Sequence, residues 1–200
     1  MMEGWGLPTS LPVGGTQRPI RTDYRAILDI MAAFADPELN DAEKWEACLV
    51  ILYRYPNELP RKHIQEAIEQ AAWFINGGEE QERQAKPLKL MDWEQDAHIL
   101  IPAVNRSLGY EIRSRKYLHW WTFLSGYMEI RDGLYSQVLQ IRIKRSKGKK
   151  LEKWEREFLN ENKDLIVLKE RYTEAEKAEQ EALLALLDGA GKDGEENGTG

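Results

Sequence analysis

Tyr117-Leu118-His119-Trp120-Trp121-Thr122-Phe123-Leu124-Ser125-Gly126-Tyr127-Met128 decides the fold. Wound as a helix, this stretch places Tyr117, Trp120, Trp121, Leu124 and Met128 on one face, at spacings of three and four residues. Leu118, Phe123, Tyr127 and Ile130 cover much of the remaining circumference. A helix apolar on nearly every side has to be surrounded by protein, so it is predicted to be the buried centre of the domain. A membrane-interface helix would keep a strongly charged face, and this one has none.

The flanking chain is helical by the same criterion. Ile27, Ile30, Met31 and Phe34 mark a helix that opens at Thr22 or Asp23 and stops at Asp36-Pro37. Asn40 with Glu43 has the spacing of a capping box, and Trp45, Cys48, Leu49 and Leu52 form the inward face of the second helix. A third helix is expected from Pro60, carrying Ile64, Ala67, Ile68, Ala71, Phe74 and Ile75, and ending at Asn76-Gly77-Gly78. Residues 79–87 are charged and read as an exposed loop. Asp92 with Gln95 predicts the start of a fourth helix, bent at Pro102 and stopped at Gly109. After the aromatic helix, Asp132-Gly133 turns the chain into a sixth, shorter helix with Leu134, Val138, Leu139 and Ile141.

The two ends differ from this middle. Residues 1–21 hold Pro8, Pro12, Pro19 and Gly14-Gly15 without a helical period, which predicts an extended arm with a short strand near Leu11 to Val13. Arg142 to Lys150 is a basic run free of acidic residues; it reads as a solvated linker, or alternatively as a nucleic-acid contact. Tyr135 and Trp154 are its nearest aromatics, so it lacks the stacking platforms of single-strand binders. Leu151, Trp154, Phe158, Leu165, Leu168 and Tyr172 then take a four-then-three spacing, continued weakly by Ala175, Ala182 and Leu186. That seam predicts one long helix able to dock on its own domain or on a partner helix. Glycine and acidic residues fill 189–200, the composition of a disordered tail.

The expected organisation is therefore all-α: an arm over 1–21, a compact helical core over 22–145, a helical segment over 146–188 and the tail. At 42% hydrophobic residues the chain can bury a sizeable core, and a net charge of −6 argues against a general polyanion binder. The longest apolar run, Ala47 to Tyr53, falls far short of the roughly 20 residues that span a bilayer. Cys48 has no second cysteine to pair with, which fits a reducing compartment.

Catalytic signatures are missing: no glycine-rich phosphate loop, no H-E-x-x-H and no nucleophile elbow occurs. A metal site could recruit Asp92, Asp96 and His98, but His98 lies about 200° around the helix from Asp96, so the two aspartates read as helix-start residues. No enzyme, no cofactor and no metal is expected. Cys48 sits among apolar neighbours and reads as an inert buried thiol.

Four segments in order resemble the siphophage tail assembly chaperone family, the bacteriophage gp-fifteen type encoded next to the tape-measure gene. Ile20-Arg21-Thr22-Asp23-Tyr24-Arg25 resembles its I-x-T-D-aromatic-R opening, and Asp92-Trp93-Glu94-Gln95-Asp96 its D-x-E-Q-D helix start. Leu118-His119-Trp120-Trp121-Thr122-Phe123 resembles its hWW-x-F signature, and Gln140-Ile141-Arg142 its later isoleucine-arginine pair. The resemblance implies a small helical protein of the host cytoplasm that binds the tape-measure protein, and other tail assembly proteins, during tail assembly. It also implies absence from the finished virion and supplies no catalytic residues. Self-association is left open. A structural tail component and a nucleic-acid module using Arg142 to Lys150 are the competing readings. The partner surface expected from the seam is Leu151, Trp154, Phe158, Leu165, Leu168 and Tyr172.

Overall fold

The computed structural model describes residues 6–79 and 89–179. Within them the chain is mostly helical around one apolar core, with a single two-stranded hairpin. No helix among the described residues is long and apolar enough to cross a membrane.

The hairpin occupies the stretch expected to be an arm. β1 (Ser10–Val13) pairs antiparallel with β2 (Thr16–Pro19) across Gly14-Gly15. Both glycines have positive φ, 61° and 73°, which is what a two-residue turn matched to strand twist demands. Strand alternation turns Leu11 and Val13 inward to full burial, so the segment is part of the core. It leads to Arg21, whose guanidinium donates to the carbonyls of Val50, Ile51 and Tyr53 at the end of the second helix.

α1 (Tyr24–Ala35) is capped by Asp23, which accepts from Arg25 N–H, and α2 (Asp41–Leu52) opens with the Asn40/Glu43 box. α3 (Ile64–Ile75) starts four residues later than expected, because residues 56–63 wind into short 3-10 turns behind Pro56 and Pro60. Ala67, Ala71, Phe74 and Ile75 form its buried face. The expected loop after it falls largely outside the described residues. α4 (Ala97–Leu108) keeps Pro102 inside and ends on Gly109 at φ 78°, but it begins at Ala97, not at Asp92.

α5 (Trp120–Met128) is shorter than its apolar stretch. Tyr117 is exposed and Leu118 and His119 are extended, because they pair with Thr22 to Tyr24: Tyr24 N–H donates to Leu118 O and Trp120 N–H to Thr22 O, at 2.9 and 2.7 Å. The inward face is Trp120, Phe123 and Gly126, while Met128 is 68% exposed and Trp121 half-buried. Gly126 lies against Leu108 so closely that a Cβ there would stand 2.6 Å from its Cγ.

α6 (Leu134–Ser146) is the longest described helix, not a shorter one, and it absorbs the first half of the basic run expected as a linker. The long C-terminal helix is likewise broken. α7 (Lys153–Glu161) ends at Asn162, α8 (Lys163–Ile166) is a single turn, and 167–173 is irregular before residues 174–179 turn helical again. α8 packs on α6 and buries Ile166. Docking on the core therefore wins over continuing the helix.

Candidate functional site

Tertiary structure brings the four signature segments together in two pairs. The first joint is the bridge between residues 22–24 and 118–120. Asp23 serves both sides of it, capping α1 through Oδ1 and accepting from Leu118 N–H through Oδ2. Thr22 Oγ1 and Tyr117 Oη are 2.7 Å apart. His119 caps α5: its Nδ1 accepts from Trp121 N–H, and its Nε2 donates to Pro8 O at 3.0 Å. Acceptance at Nδ1 requires the neutral imidazole, and burial, opposed by the Pro8 carbonyl, lowers its pKa. Behind it, Trp120 is fully buried and donates to Ile75 O, while Trp121 donates to Phe74 O. Phe123 stacks on Tyr24 with ring centroids 5.0 Å apart. His119, Trp120, Trp121 and Phe123 are thus all engaged by neighbours within the fold.

The second joint places Asp96 against Arg142. The two form a bidentate ion pair at 2.6 and 2.8 Å, with side chains 1% and 5% exposed. Every N–H of the guanidinium finds an acceptor, since the others reach Leu90 O, Leu165 O and Ile166 O. Arg142 therefore belongs to the core and not to a basic linker. Its position is explained by helical spacing, because Tyr135, Val138, Ile141 and Arg142 share the buried face of α6. Lys144 is similarly engaged, at 2.6 Å from the buried Glu155. Arg145, Lys147, Lys149 and Lys150 are what remains exposed of the basic run.

Asp92 lies beside this pair but is not a helix cap. It organises the turn before α4, accepting from the N–H groups of Glu94 and Gln95 while its own N–H donates to Asp96. Lys89 at 3.1 Å and Arg171 at 2.9 Å complete its shell. Burial would raise its pKa, but the backbone donation from Gln95 and the bonds from Arg171 and Lys89 outweigh that and hold it well below the carboxylate range. Asp92 and Asp96 are thus filled by cations of this chain. His98 sits apart, its Nδ1 on Gln95 O. Burial pushes the Cys48 thiol up to about 12, so it stays protonated at neutral pH.

Around Asp92 and Arg171 the surface opens. A groove of about 370 Å³ runs between α1 and the 91–94 turn, lined by Leu28, Met31, Ala32, Ala35, Met91 and Trp93, with Lys89, Asp92, Glu94 and Arg171 as its polar wall. A second cleft, about 640 Å³, shares Asp92, Glu94 and Arg171 and extends to Leu165, Lys169, Tyr172 and Lys177. Between them crosses a strap, residues 167–173. Gln95 holds it by donating to Asp164 O and Val167 O and accepting from Lys169 N–H.

The expected partner seam is divided by this arrangement. Leu151, Phe158 and Leu165 pack partly buried against the core. Trp154 is 44% exposed, its indole N–H on Glu152. Leu168 and Tyr172 line the surface beside Ala35 and Pro37. Sequence spacing missed the groove altogether, since its residues come from segments some sixty positions apart. The only local signal was that Leu28 and Met31 lie off the Ile27/Ile30 axis of α1.

No curated protein and no solved structure matches the chain. A family model described as Bacteriophage Gp15 protein matches residues 6–168. That span contains all four signature segments, both joints, and every apolar residue lining the groove. The chain belongs to the Bacteriophage Gp15 protein family.

Proposed function

We propose that this protein is a non-catalytic tail assembly chaperone that acts in the host cytoplasm, binding the tape-measure protein and leaving before the virion is complete. Family membership suggests a phage structural or assembly protein; the chaperone role is the finer reading. The observation that carries it is the apolar groove on α1, bounded by charged residues of both signs. A tape-measure protein is a long helix with apolar stripes, and such stripes aggregate until something covers them. One turn of apolar side chains seated between Met31 and Trp93 is recognition of the helix-in-groove kind. Leu168 and Tyr172 line an adjoining cleft that shares Ala35, Lys89 and Arg171 with the groove, and the exposed Trp154 offers a further contact on α7.

Co-expression with the tape-measure protein tests this. The two should co-purify, and Met31→Glu with Ala32→Glu should abolish capture while the variant stays folded. Purified virions should lack the protein by mass spectrometry. Stoichiometric presence in virions would favour a structural tail component instead, and undiminished capture by the double variant would remove the groove from the interface.

A further inference from the structure

Where the groove ends is as informative as what lines it. Leu28 follows Arg25 by three residues on α1, and side chains at that spacing are neighbours on a helix surface. The aromatic contacts lead the same way. Trp93 lies 6.1 Å from Phe123, Phe123 stacks on Tyr24 at 5.0 Å, and the Arg25 guanidinium sits 4.6 Å over the Tyr24 ring. Arg25 therefore stands at the end of the groove nearest the start of α1.

A basic loop is pinned at that end. Arg25 Nη2 donates to Arg115 O at 2.8 Å, Asp23 Oδ2 accepts from Leu118 N–H, and Thr22 Oγ1 meets Tyr117 Oη. Residues 113–117 are all exposed. Arg113 is committed to Glu111, but Arg115, which lies over the Tyr110 ring at 4.4 Å, and Lys116 have no ion pair among the described residues. The acids nearby are already engaged, Asp23 by Arg25 and Glu111 by Arg113 and Asn105. Asp29 is exposed, but it lies about 200° around α1 from Met31. Beyond Ala35, at the other end of α1, both signs meet, Asp36 and Glu170 with Lys44, Lys89 and Lys169. The choice of sign falls to the Arg25 end.

We propose that the α1 groove takes an amphipathic helix whose apolar turn is flanked by acidic residues, and that these acids rest on the cationic ledge of Arg25, Arg115 and Lys116. The preference stands on the ledge; that the helix is a segment of the tape-measure protein rests on the chaperone reading above. Opposite charge at a rim speeds encounter and fixes the direction in which an apolar stripe lies. Single-stranded nucleic acid is the competing occupant of a basic loop between two tyrosines. Tyr110, however, is half-buried beneath Arg115, which leaves Tyr117 as one exposed ring where stacking binders use successive ones.

Three synthetic helical peptides test the ledge, alike in a leucine stripe and different in their flanking residues: glutamate, glutamine or lysine. Binding to the full chain is read from the carbon-13 methyl resonances of Met31 and Met91, which line the groove, with the exposed Met128 as control. The glutamate peptide should bind most tightly and the lysine peptide least, and added salt should narrow the difference. Arg115→Glu with Lys116→Glu, both at exposed positions, should reverse that order and weaken the glutamate peptide roughly tenfold. An order of affinities that the double variant leaves unchanged would overturn the inference, as would Met31 and Met91 resonances that respond to none of the peptides. Oligothymidylate that binds the parent more tightly than the glutamate peptide, and is lost in the double variant, would overturn it in favour of nucleic acid. A parent that prefers the glutamate peptide yet fails to capture co-expressed tape-measure protein would count against the chaperone reading alone.

Discussion

Trp120 and Arg171 are both signposts of this fold, and they are held in opposite ways. Trp120 is fully buried, stacked 5.4 Å from Phe123 and set against Trp93 at 6.0 Å, with its indole N–H on Ile75 O. Arg171 lies on a strap in which no residue from 167 to 179 is buried. The core around α5 is held by apolar area removed from water, which is lost only when the domain opens. The strap is held by hydrogen bonds and ion pairs, each of which water can replace at small net cost. A segment of the second kind can leave without unfolding the first.

The largest effects should fall on the core side of this contrast. Trp120→Ala should destabilise by about 3–5 kcal/mol, the range for emptying a buried aromatic site. Trp121→Ala, at a half-buried site, should cost less. Asp96→Ala should match Trp120→Ala, at roughly 3–5 kcal/mol, because Arg142 would remain buried without its counter-charge. Urea midpoints of the three variants check this. If Asp96→Ala melts like the parent, the second joint is not part of the core, and its contact with α8 would not anchor the C-terminal chain.

Both joints show what can be read from sequence and what cannot. Caps are local, so Asp23, the Asn40/Glu43 box, Gly109 and the Asp132-Gly133 turn fall where residue chemistry puts them. The apolar centre at Trp120 and Phe123 is a matter of composition, although the helix start is not: pairing with Thr22 to Tyr24 pulls Leu118 and His119 into extended form, and no local preference announces a partner some ninety-five residues away. By charge alone Arg142 is the first residue of a basic run; by helical face it belongs to the core. Its helical register with Val138 and Ile141 was the available signal. The seam from Leu151 to Tyr172 fits heptad spacing, yet Asn162 at φ −127° breaks it, and Ile166, off the seam, is the residue that becomes buried. The groove could not be read at all, because it exists only where α1 meets the 91–94 turn.

Acid should separate the two regions by pH. In the core joint, the folded pKa of His119 is lowered, so the unfolded chain takes up a proton first. Its contribution to stability is complete above the ordinary value of 6.5 and is lost as pH falls below that toward the folded value. Asp92, on the strap side, is also depressed, and its contribution is complete above the ordinary 3.8 and is lost only at lower pH. Urea midpoints should therefore fall in two stages. His119→Asn keeps a capping side chain but cannot be protonated, so it should remove the first stage alone. A first stage that persists in His119→Asn would assign it to another group.

The smallest expected effect on stability probes the strap most directly. Gln95→Ala removes two hydrogen bonds to the strap backbone, at Val167 O and Lys169 N–H, and one to Asp164 O in α8, all of them exposed. Water can take up each freed group, so the unfolding free energy from urea titration should fall by no more than about 1 kcal/mol. Local behaviour should change much more. The amide of Lys169 should exchange faster, and trypsin should cut after Lys169 and Arg171 at enzyme levels that leave the parent intact, because cleavage tracks the population of the open form. Arg171→Ala should likewise speed exchange at Lys169 and cleavage after Lys169, while leaving Asp92 its bonds from Lys89, Glu94 and Gln95. If Gln95→Ala instead destabilises the whole domain as much as Trp120→Ala, the strap opens only with the core.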